Sequence, residues 1–236
     1  MPTPRPFLTA RWVHLAMLNY RVDREILAPL IPAGTELDLW QGAAFVSVVG
    51  FLFLDTRVFG VPVPGHSNFE EVNLRFYIKR EAPDGVRRGV AFVKEIVPRW
   101  AIAATARLLY GEKYVALPMR HEVTAECVEY GWRHGGAWDG LRLVPAGDSH
   151  PAAPGSEEEF ITEHYWGYSK LRGGGTVEYR VEHPRWQVWR AAEAELDCRA
   201  AALYGPRFTE PLAGSPSSAF LADGSPVTVY RGVRIA

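Results

Sequence analysis

The chain has 236 residues and a formal net charge of −1, and 47% of its residues are hydrophobic. This length can bury a sizeable core without disulfide or metal staples, and the composition is that of a soluble globular protein. The balanced charge gives no electrostatic reason to expect a nucleic acid or a membrane surface as partner.

Neither a targeting segment nor a membrane span is expected. Residues 1–6 lack the apolar region of a signal peptide. The longest apolar run, residues 43–54, contains a serine and a glycine and is too short to cross a bilayer. Cys127 and Cys198 lie far apart and form no CxxC motif, which favours free thiols in a reducing compartment. We therefore expect a cytoplasmic protein.

In chain order, the pattern predicts mostly strands, with three short helices. The predicted strands are 37–40, 43–54, 70–78, 89–97, 122–129, 176–182, 185–190, 193–199 and 226–235. A loose hairpin is predicted at 132–144, with loops at 57–68 and 145–155. The helices are 24–28 after an N-cap at Asp23, 99–109, and 157–165 after a capping box at Ser156 and Glu159.

About ten strands with frequent turns, and neither an internal repeat nor a linker, favour one domain over residues 1–236. The predicted class is α+β and predominantly antiparallel β. The strand number suits a curved or barrel-like sheet on which the few short helices pack. Such barrels often hold a ligand in the mouth.

One predicted strand carries a polar row, which we define as Glu71, Asn73, Arg75 and Tyr77. These residues alternate with apolar ones, so they share one face of the strand at a spacing of roughly 6.5 Å. The row is either a solvated face or the wall of a cavity. The similar alternation at 176–182 is interpreted as a half-solvated strand.

Other site motifs are missing from the sequence. The seven histidines form no HxH, HExxH or HxxxH pattern, so no metal site is expected. There is no GxSxG motif for a nucleophilic serine and no GxGxxG motif for a dinucleotide. The Gly173–Gly175 run lacks the lysine of a phosphate loop. We expect no cofactor.

An ordered set of motifs runs along the chain. The set comprises Glu71-x-Asn73-Leu74-Arg75-x-Tyr77, Ala106-Arg107, Leu117-Pro118, Phe160-Ile161-Thr162-Glu163-His164-Tyr165 and His183-Pro184-x-Trp186, preceded by His14, Leu30-Ile31-Pro32 and Gly42-x-x-Phe45-Val46. This ordered set resembles the YqjF-like family, also called DUF2071. The resemblance covers most of the chain. His164 departs from it, since the family more often has arginine at this position.

That family resembles acetoacetate decarboxylase in fold, which implies a curved sheet or cone-shaped β-barrel with a central cavity. In the decarboxylase, a lysine of lowered pKa forms a Schiff base with a keto acid. Its Lys-Lys pair is missing here: Lys113 lies near the matching place but out of register by one residue. Glu112 precedes it, and a neighbouring carboxylate raises the pKa of a lysine.

These observations lead to one hypothesis and two alternatives. The hypothesis is a small-molecule-binding protein that acts on a small organic or keto acid by general acid/base chemistry. The alternatives are a non-catalytic binder or sensor, and a Schiff-base lyase that uses Lys113. Assembly into a homo-oligomer stays an open alternative, because related decarboxylases assemble and exposed strand edges favour pairing.

The hypothesis gives each residue of the row a role. Arg75 anchors a carboxylate or carbonyl, Glu71 is the acid/base group, Asn73 orients the ligand and Tyr77 donates a hydrogen bond. The resemblance adds a second set of pocket residues: Arg107, Glu163 and Tyr165.

Overall fold

The structure is a computed structural model that describes residues 6–62, 64–98, 113–171 and 173–236. Its strands are β1 Pro6–Val22, β2 Glu36–Leu37, β3 Ala44–Val58, β4 Val61–Pro62, β5 Phe69–Ala82, β6 Gly85–Val97, β7 Tyr114–Ala116, β8 Met119–Val123, β9 Val128–His134, β10 Ala137–Pro151, β11 Trp166–Lys170, β12 Thr176–Glu182, β13 Gln187–Asp197, β14 Ser218–Tyr230 and β15 Val233–Arg234. The α-helices are α1 Arg24–Leu27, α2 Glu157–Thr162 and α3 Ala200–Tyr204, and 3₁₀ turns lie at Ala28–Leu30 and Pro206–Phe208.

These strands form one sheet, which is antiparallel except where β6 pairs with β7 and β11. Its central path runs β12-β11-β6-β5-β3-β1-β14, and two residue pairs between β12 and β14 close it. The sheet therefore curves into an irregular ring rather than a clean barrel. Strands β13, β10, β9 and β8 continue from β14, and we call them the arm.

Strand β5 separates two cores. Its apolar residues pack into the core that the ring shares with the arm: Val72, Leu74, Phe76 and Ile78, with Tyr130, Trp132, Leu141 and Leu143. Its opposite face points toward a second core, which includes Met17, Phe45 and Phe160. The alternation predicted for β5 is confirmed, and both faces of the strand are covered by protein.

The arm packs on the ring at Gly50. A Cβ atom at this position would lie 2.5 Å from Cδ2 of Tyr130 and 3.1 Å from Leu141. The Tyr130 ring uses the space left by the missing side chain, and its hydroxyl donates to the backbone oxygen of His14 at 2.9 Å. Glycine is thus required here for a close approach of two layers.

The long first strand was not predicted. Its pairing with β3 shifts register between Thr9 and Arg11 and again between Val13 and Ala16, and His14 has a φ of 55°. Bulges of this kind break the two-residue periodicity on which strand prediction depends.

Several predicted boundaries were wrong. Residues 124–127 form a turn between β8 and β9 instead of part of a strand, so Ala125 is exposed. Strand β10 runs through Asp139 and Gly140 to Pro151, so only the turn at Gly135 and Gly136 separates it from β9. The predicted strands 185–190 and 193–199 are one strand, β13, because extended backbone continues through the residues between them.

Other boundaries moved as well. The predicted loop 57–68 contains the end of β3 and all of β4, and β14 begins at Ser218 rather than at 226. The predicted helix 99–109 lies outside the described residues. Asp23 precedes α1 without a side-chain cap, whereas the cap at Ser156 is confirmed: its side chain accepts from the Glu159 amide at 3.1 Å. Within the described residues, no helix has the length and apolar character needed to cross a membrane.

Candidate functional site

A cavity of about 220 Å³ lies inside the ring, and all seven ring strands contribute to its wall. Aromatic and aliphatic side chains form most of the wall, among them Trp12, Phe51, Phe53, Phe92, Trp166 and Trp186. A few polar side chains interrupt it. An apolar cavity with a small number of placed polar groups is typical of small-molecule sites.

Three members of the polar row line this cavity: Glu71, Asn73 and Arg75. Glu71 and Asn73 are each 2% exposed, so the row does not face bulk water. Glu71 accepts hydrogen bonds from Nδ2 of Asn73 and from the Tyr114 hydroxyl, both at 3.0 Å. Among the described residues, Oδ1 of Asn73 has no partner.

Arg75 places a cation at the cavity wall. Its Nη2 lies 3.9 Å from the sulfur of Met17, and its guanidinium carbon lies 5.7 Å from the Tyr77 ring centre. No acidic side chain in the described part of the chain forms an ion pair with it, and its Nε is buried without a hydrogen-bond partner. Among the described residues, the guanidinium of Arg75 therefore has no direct ion-pair partner, although the carboxylates of Glu71 and Glu95 line the same cavity.

Tyr77 is 1% exposed and belongs to the second core. Its hydroxyl lies 2.6 Å from Oγ of Ser47, and Ser47 donates its own proton to Oδ1 of Asn19 at 2.6 Å. The Tyr77 hydroxyl must therefore be the donor to Ser47. It is not among the described residues that line the cavity.

Asp38 and His164 form a pair beside the row. Nε2 of His164 lies 3.1 Å from Oδ2 of Asp38, and the same oxygen accepts from Nε of Arg88 at 2.6 Å. Burial lowers the pKa of His164 to about 4, although its hydrogen bond to Asp38 acts in the opposite direction. Burial raises the pKa of Asp38, but the hydrogen bonds from His164 and Arg88 outweigh this and lower it.

His164 lines the cavity, and its ring packs 4.9 Å from the ring of Tyr77 and 5.2 Å from that of Phe160. Its Nδ1 is buried and has no partner among the described residues. Sequence reasoning did not identify this pair, because Asp38 and His164 are far apart in the chain. The available signal was the histidine itself, which is a departure from the resemblance seen in the sequence.

Glu163 and Tyr165 are not among the described residues that line the cavity. The Tyr165 hydroxyl donates to Glu163 at 2.6 Å, and Glu163 also pairs with Arg185 at 3.2 Å. Burial, followed by this hydrogen bond, raises the pKa of Tyr165. The Tyr165 ring lies 4.8 Å from that of His183, which does line the cavity, so the two predicted residues lie behind its wall.

Arg107 lies outside the described residues. Lys113 is exposed, and no lysine appears among the described residues that line the cavity. Lys94 is half-buried on the opposite side of the sheet, where it donates to the backbone oxygen of Leu203, and burial lowers its pKa. In the same residues, no cluster of three histidine, cysteine or acidic side chains is placed to hold a metal ion.

Comparison of the chain with known sequences places most of its length in one family. A model of the DUF2071 family, described as an uncharacterized conserved protein, matches residues 9–226. The protein YqjF of Bacillus subtilis strain 168, itself described as uncharacterized, is 27% identical over 189 residues, which cover 78% of this chain and 76% of YqjF.

Comparison with solved structures gives the fold. The acetoacetate decarboxylase of Legionella pneumophila superposes with a TM-score of 0.69 at 14% identity, covering 100% of this chain and 92% of its own. The enduracididine biosynthesis enzyme MppR, solved with pyruvate, also has a TM-score of 0.69 at 14% identity with the same coverage. An acetoacetate decarboxylase-like enzyme from Sphingomonas wittichii RW1 has a TM-score of 0.65 at 14% identity, with coverages of 97% and 92%. The predicted acetoacetate decarboxylase-like fold is confirmed.

Proposed function

The chain belongs to the DUF2071 family of uncharacterized conserved proteins, and we propose that it binds a small organic acid in the cavity inside the ring. The carboxylate of this acid pairs with Arg75. The observation that carries the proposal is a cavity-lining guanidinium with no acidic partner among the described residues.

A cation without a counter-ion is unfavourable in apolar surroundings, because little water remains to solvate it. A buried charge without a partner raises the free energy of the ligand-free protein. A ligand that supplies the missing anion removes this cost and therefore binds more tightly. The planar fork of arginine can bind a carboxylate through two parallel hydrogen bonds. Arg75 thus favours a carboxylic acid over a neutral ligand.

The rest of the wall limits the ligand to a small molecule with an apolar part. The cavity of about 220 Å³ lies below the roughly 300–1,000 Å³ of typical drug-sized sites. The enzyme MppR, which has this fold, was solved with pyruvate, a small keto acid. This likeness supports the size and class of the proposed ligand.

Glu71 is the residue of the row that fits general acid/base chemistry. Its carboxylate lies at the cavity wall beside Asn73 and is 2% exposed. A carboxylate in such a place can accept or return a proton when a bound acid lies within hydrogen-bonding reach. The amide nitrogen of Asn73 donates a hydrogen bond to this carboxylate, which supports a role for Asn73 in orienting Glu71.

Replacement of Glu71 distinguishes a role in ligand binding from a role in catalysis. We expect Glu71→Gln to keep affinity for the acid, because the carboxylate of the ligand lies on Arg75, and to abolish turnover. A binder or sensor would instead show no turnover of any acid by the unmodified protein. The Schiff-base alternative gains no support from the described residues, since Lys113 is exposed and does not line the cavity.

The direct test is calorimetric titration with small carboxylic acids and their uncharged amides. The proposal predicts that acids bind and that the matched amides do not. Equal binding of an acid and its amide would contradict a role for Arg75 as the anchor of a carboxylate.

A further inference from the structure

We infer that the acid bound in this cavity carries a hydroxyl group, which donates a hydrogen bond to Nδ1 of His164 while its carboxylate pairs with Arg75. The inference rests on the proposed function and narrows its ligand class to hydroxy acids. Its basis is a buried acceptor atom, Nδ1 of His164, that has no donor among the described residues.

The hydrogen bond to Asp38 fixes the tautomer of His164. The Asp38 carboxylate can only accept, and it also accepts from Arg88, so Nε2 of His164 must carry the proton. A neutral imidazole with its proton on Nε2 has a lone pair on Nδ1. This nitrogen is therefore an acceptor.

His164 stays neutral because its surroundings oppose a positive charge. Its side chain is 2% exposed, and the charged groups that act on it are Asp38, Arg88 and Arg75. Burial and the two arginines oppose protonation, and only Asp38 favours it. Nδ1 consequently remains an acceptor at neutral pH and offers no proton to a ligand.

No described residue donates to this nitrogen, although its atomic surface is buried. An unsatisfied buried polar atom costs roughly 1–3 kcal/mol, and a donor on the ligand removes this cost. Oδ1 of Asn73 is a second unpartnered acceptor on the wall, since the amide nitrogen of Asn73 donates to Glu71. Among the described residues of the wall, Nδ1 of His164 and Oδ1 of Asn73 are thus unpartnered acceptors near the cation of Arg75.

The cation and the nitrogen acceptor lie around the same ring. The guanidinium carbon of Arg75 is 5.7 Å from the Tyr77 ring centre, and the His164 ring is 4.9 Å from it. Because Arg75 and His164 both line the same cavity, we place one small ligand against both groups. It must accept hydrogen bonds at one end and donate at the other, as a hydroxy acid does.

A keto acid fits Arg75 and Nδ1 of His164 less well than a hydroxy acid does. Its carboxylate satisfies Arg75, but its carbonyl oxygen is only an acceptor and would face the lone pair of Nδ1. The nitrogen would then stay without a hydrogen-bond donor. Sites built to bond a hydroxyl group discriminate strongly against analogues without one.

The test is calorimetric titration of the full chain with matched acids at pH 7.5: lactate, 2-methoxypropionate and pyruvate, and likewise 3-hydroxybutyrate, 3-methoxybutyrate and acetoacetate. We expect the better-fitting hydroxy acid to bind about tenfold or more tightly than its methyl ether and its keto counterpart. In His164→Phe, we expect hydroxy and keto acids to bind within about twofold of each other. The control His150→Phe, on β10 outside the cavity, should keep the preference.

The outcomes separate this inference from the proposed function. Equal or tighter binding of keto acids by the unmodified protein overturns the hydroxyl inference alone. Binding of none of these acids overturns the inference and contradicts the proposed function as well. The comparison of ethers with hydroxy acids needs no mutant, so a variant that fails to fold does not prevent a decision.

Discussion

Oδ2 of Asp38 accepts hydrogen bonds from both His164 and Arg88, at 3.1 and 2.6 Å. Asp38 lies just after β2, Arg88 lies on β6, and His164 follows α2. One carboxylate oxygen thus connects three segments behind the cavity wall. It also orients the imidazole that borders the cavity.

The pair of His164 and Asp38 predicts how the free energy of unfolding depends on pH. The pKa of His164 falls from 6.5 in the unfolded chain to about 4 in the folded protein, so the unfolded chain takes up the proton first. The destabilisation caused by His164 is absent above pH 6.5 and increases as pH falls toward 4. Between pH 7 and 5, this group alone should lower the free energy of unfolding by about 2 kcal/mol.

Urea denaturation of the unmodified protein and of His164→Phe at both pH values measures this contribution. The lowered pKa of Asp38 affects stability only at more acidic pH, so it does not interfere in this window. The variant should lose about 2 kcal/mol less than the unmodified protein. Equal losses in the two proteins would show that His164 is not held neutral by burial.

Removing the Tyr77 hydroxyl should affect stability and leave ligand binding unchanged. This hydroxyl donates to Ser47, which donates to Asn19, so it has no proton left for a ligand. We expect Tyr77→Phe to lower the free energy of unfolding by about 1 kcal/mol, the net value of one hydrogen bond. A large loss of acid affinity with unchanged stability would restore the role of hydrogen-bond donor that the sequence suggested.

Gly167 controls the space available at the cavity. It lines the cavity on β11, and a Cβ atom there would overlap the ring of Tyr179 on β12, which lines it as well. Gly167→Ala should displace this ring, lower the free energy of unfolding by about 1–3 kcal/mol and weaken acid binding. The double variant Gly167→Ala/Tyr179→Leu should regain binding, because leucine leaves room for the methyl group. Failure of the double variant to do so would point to damage elsewhere in the sheet.

Borohydride reduction in the presence of pyruvate or acetoacetate should leave Lys113 unmodified. Lys113 is exposed and is not among the described residues that line the cavity, so a keto acid bound in the cavity does not meet its amine. Peptide mass spectrometry detects the reduced adduct if it forms. An adduct confined to Lys113 that is lost when Arg75 is replaced would support the lyase alternative instead.

The β5 row shows what the sequence could and could not predict. Its alternation, with Asn73 in the middle, predicted which side chains share a face, because the two-residue period of a strand is local. Whether that face meets water depends on which other strands curve around it. The ordered motifs of the DUF2071 family supplied that information, and they gave the acetoacetate decarboxylase-like fold as well.

Other features depended on contacts between distant segments. The bond between Asp38 and His164 spans 126 positions in sequence, and no spacing rule connects the two residues. The burial of Glu178 was also missed. Its strand was interpreted as half-solvated, yet Glu178 is 1% exposed and pairs with Arg80 and Arg87. Burial of a polar residue becomes visible only when the partner segments are placed in space.

The most direct test of the central claim is the affinity of Arg75→Met for small carboxylic acids, measured by calorimetry beside Arg190→Met. Arg190 is exposed on β13 and lies outside the cavity, so this control removes one positive charge without changing the wall. Loss of a charge-assisted pair worth about 1.5–3 kcal/mol should weaken binding by Arg75→Met roughly 10- to 100-fold and leave the control unchanged. Unaltered acid binding by a folded Arg75→Met protein would contradict the account.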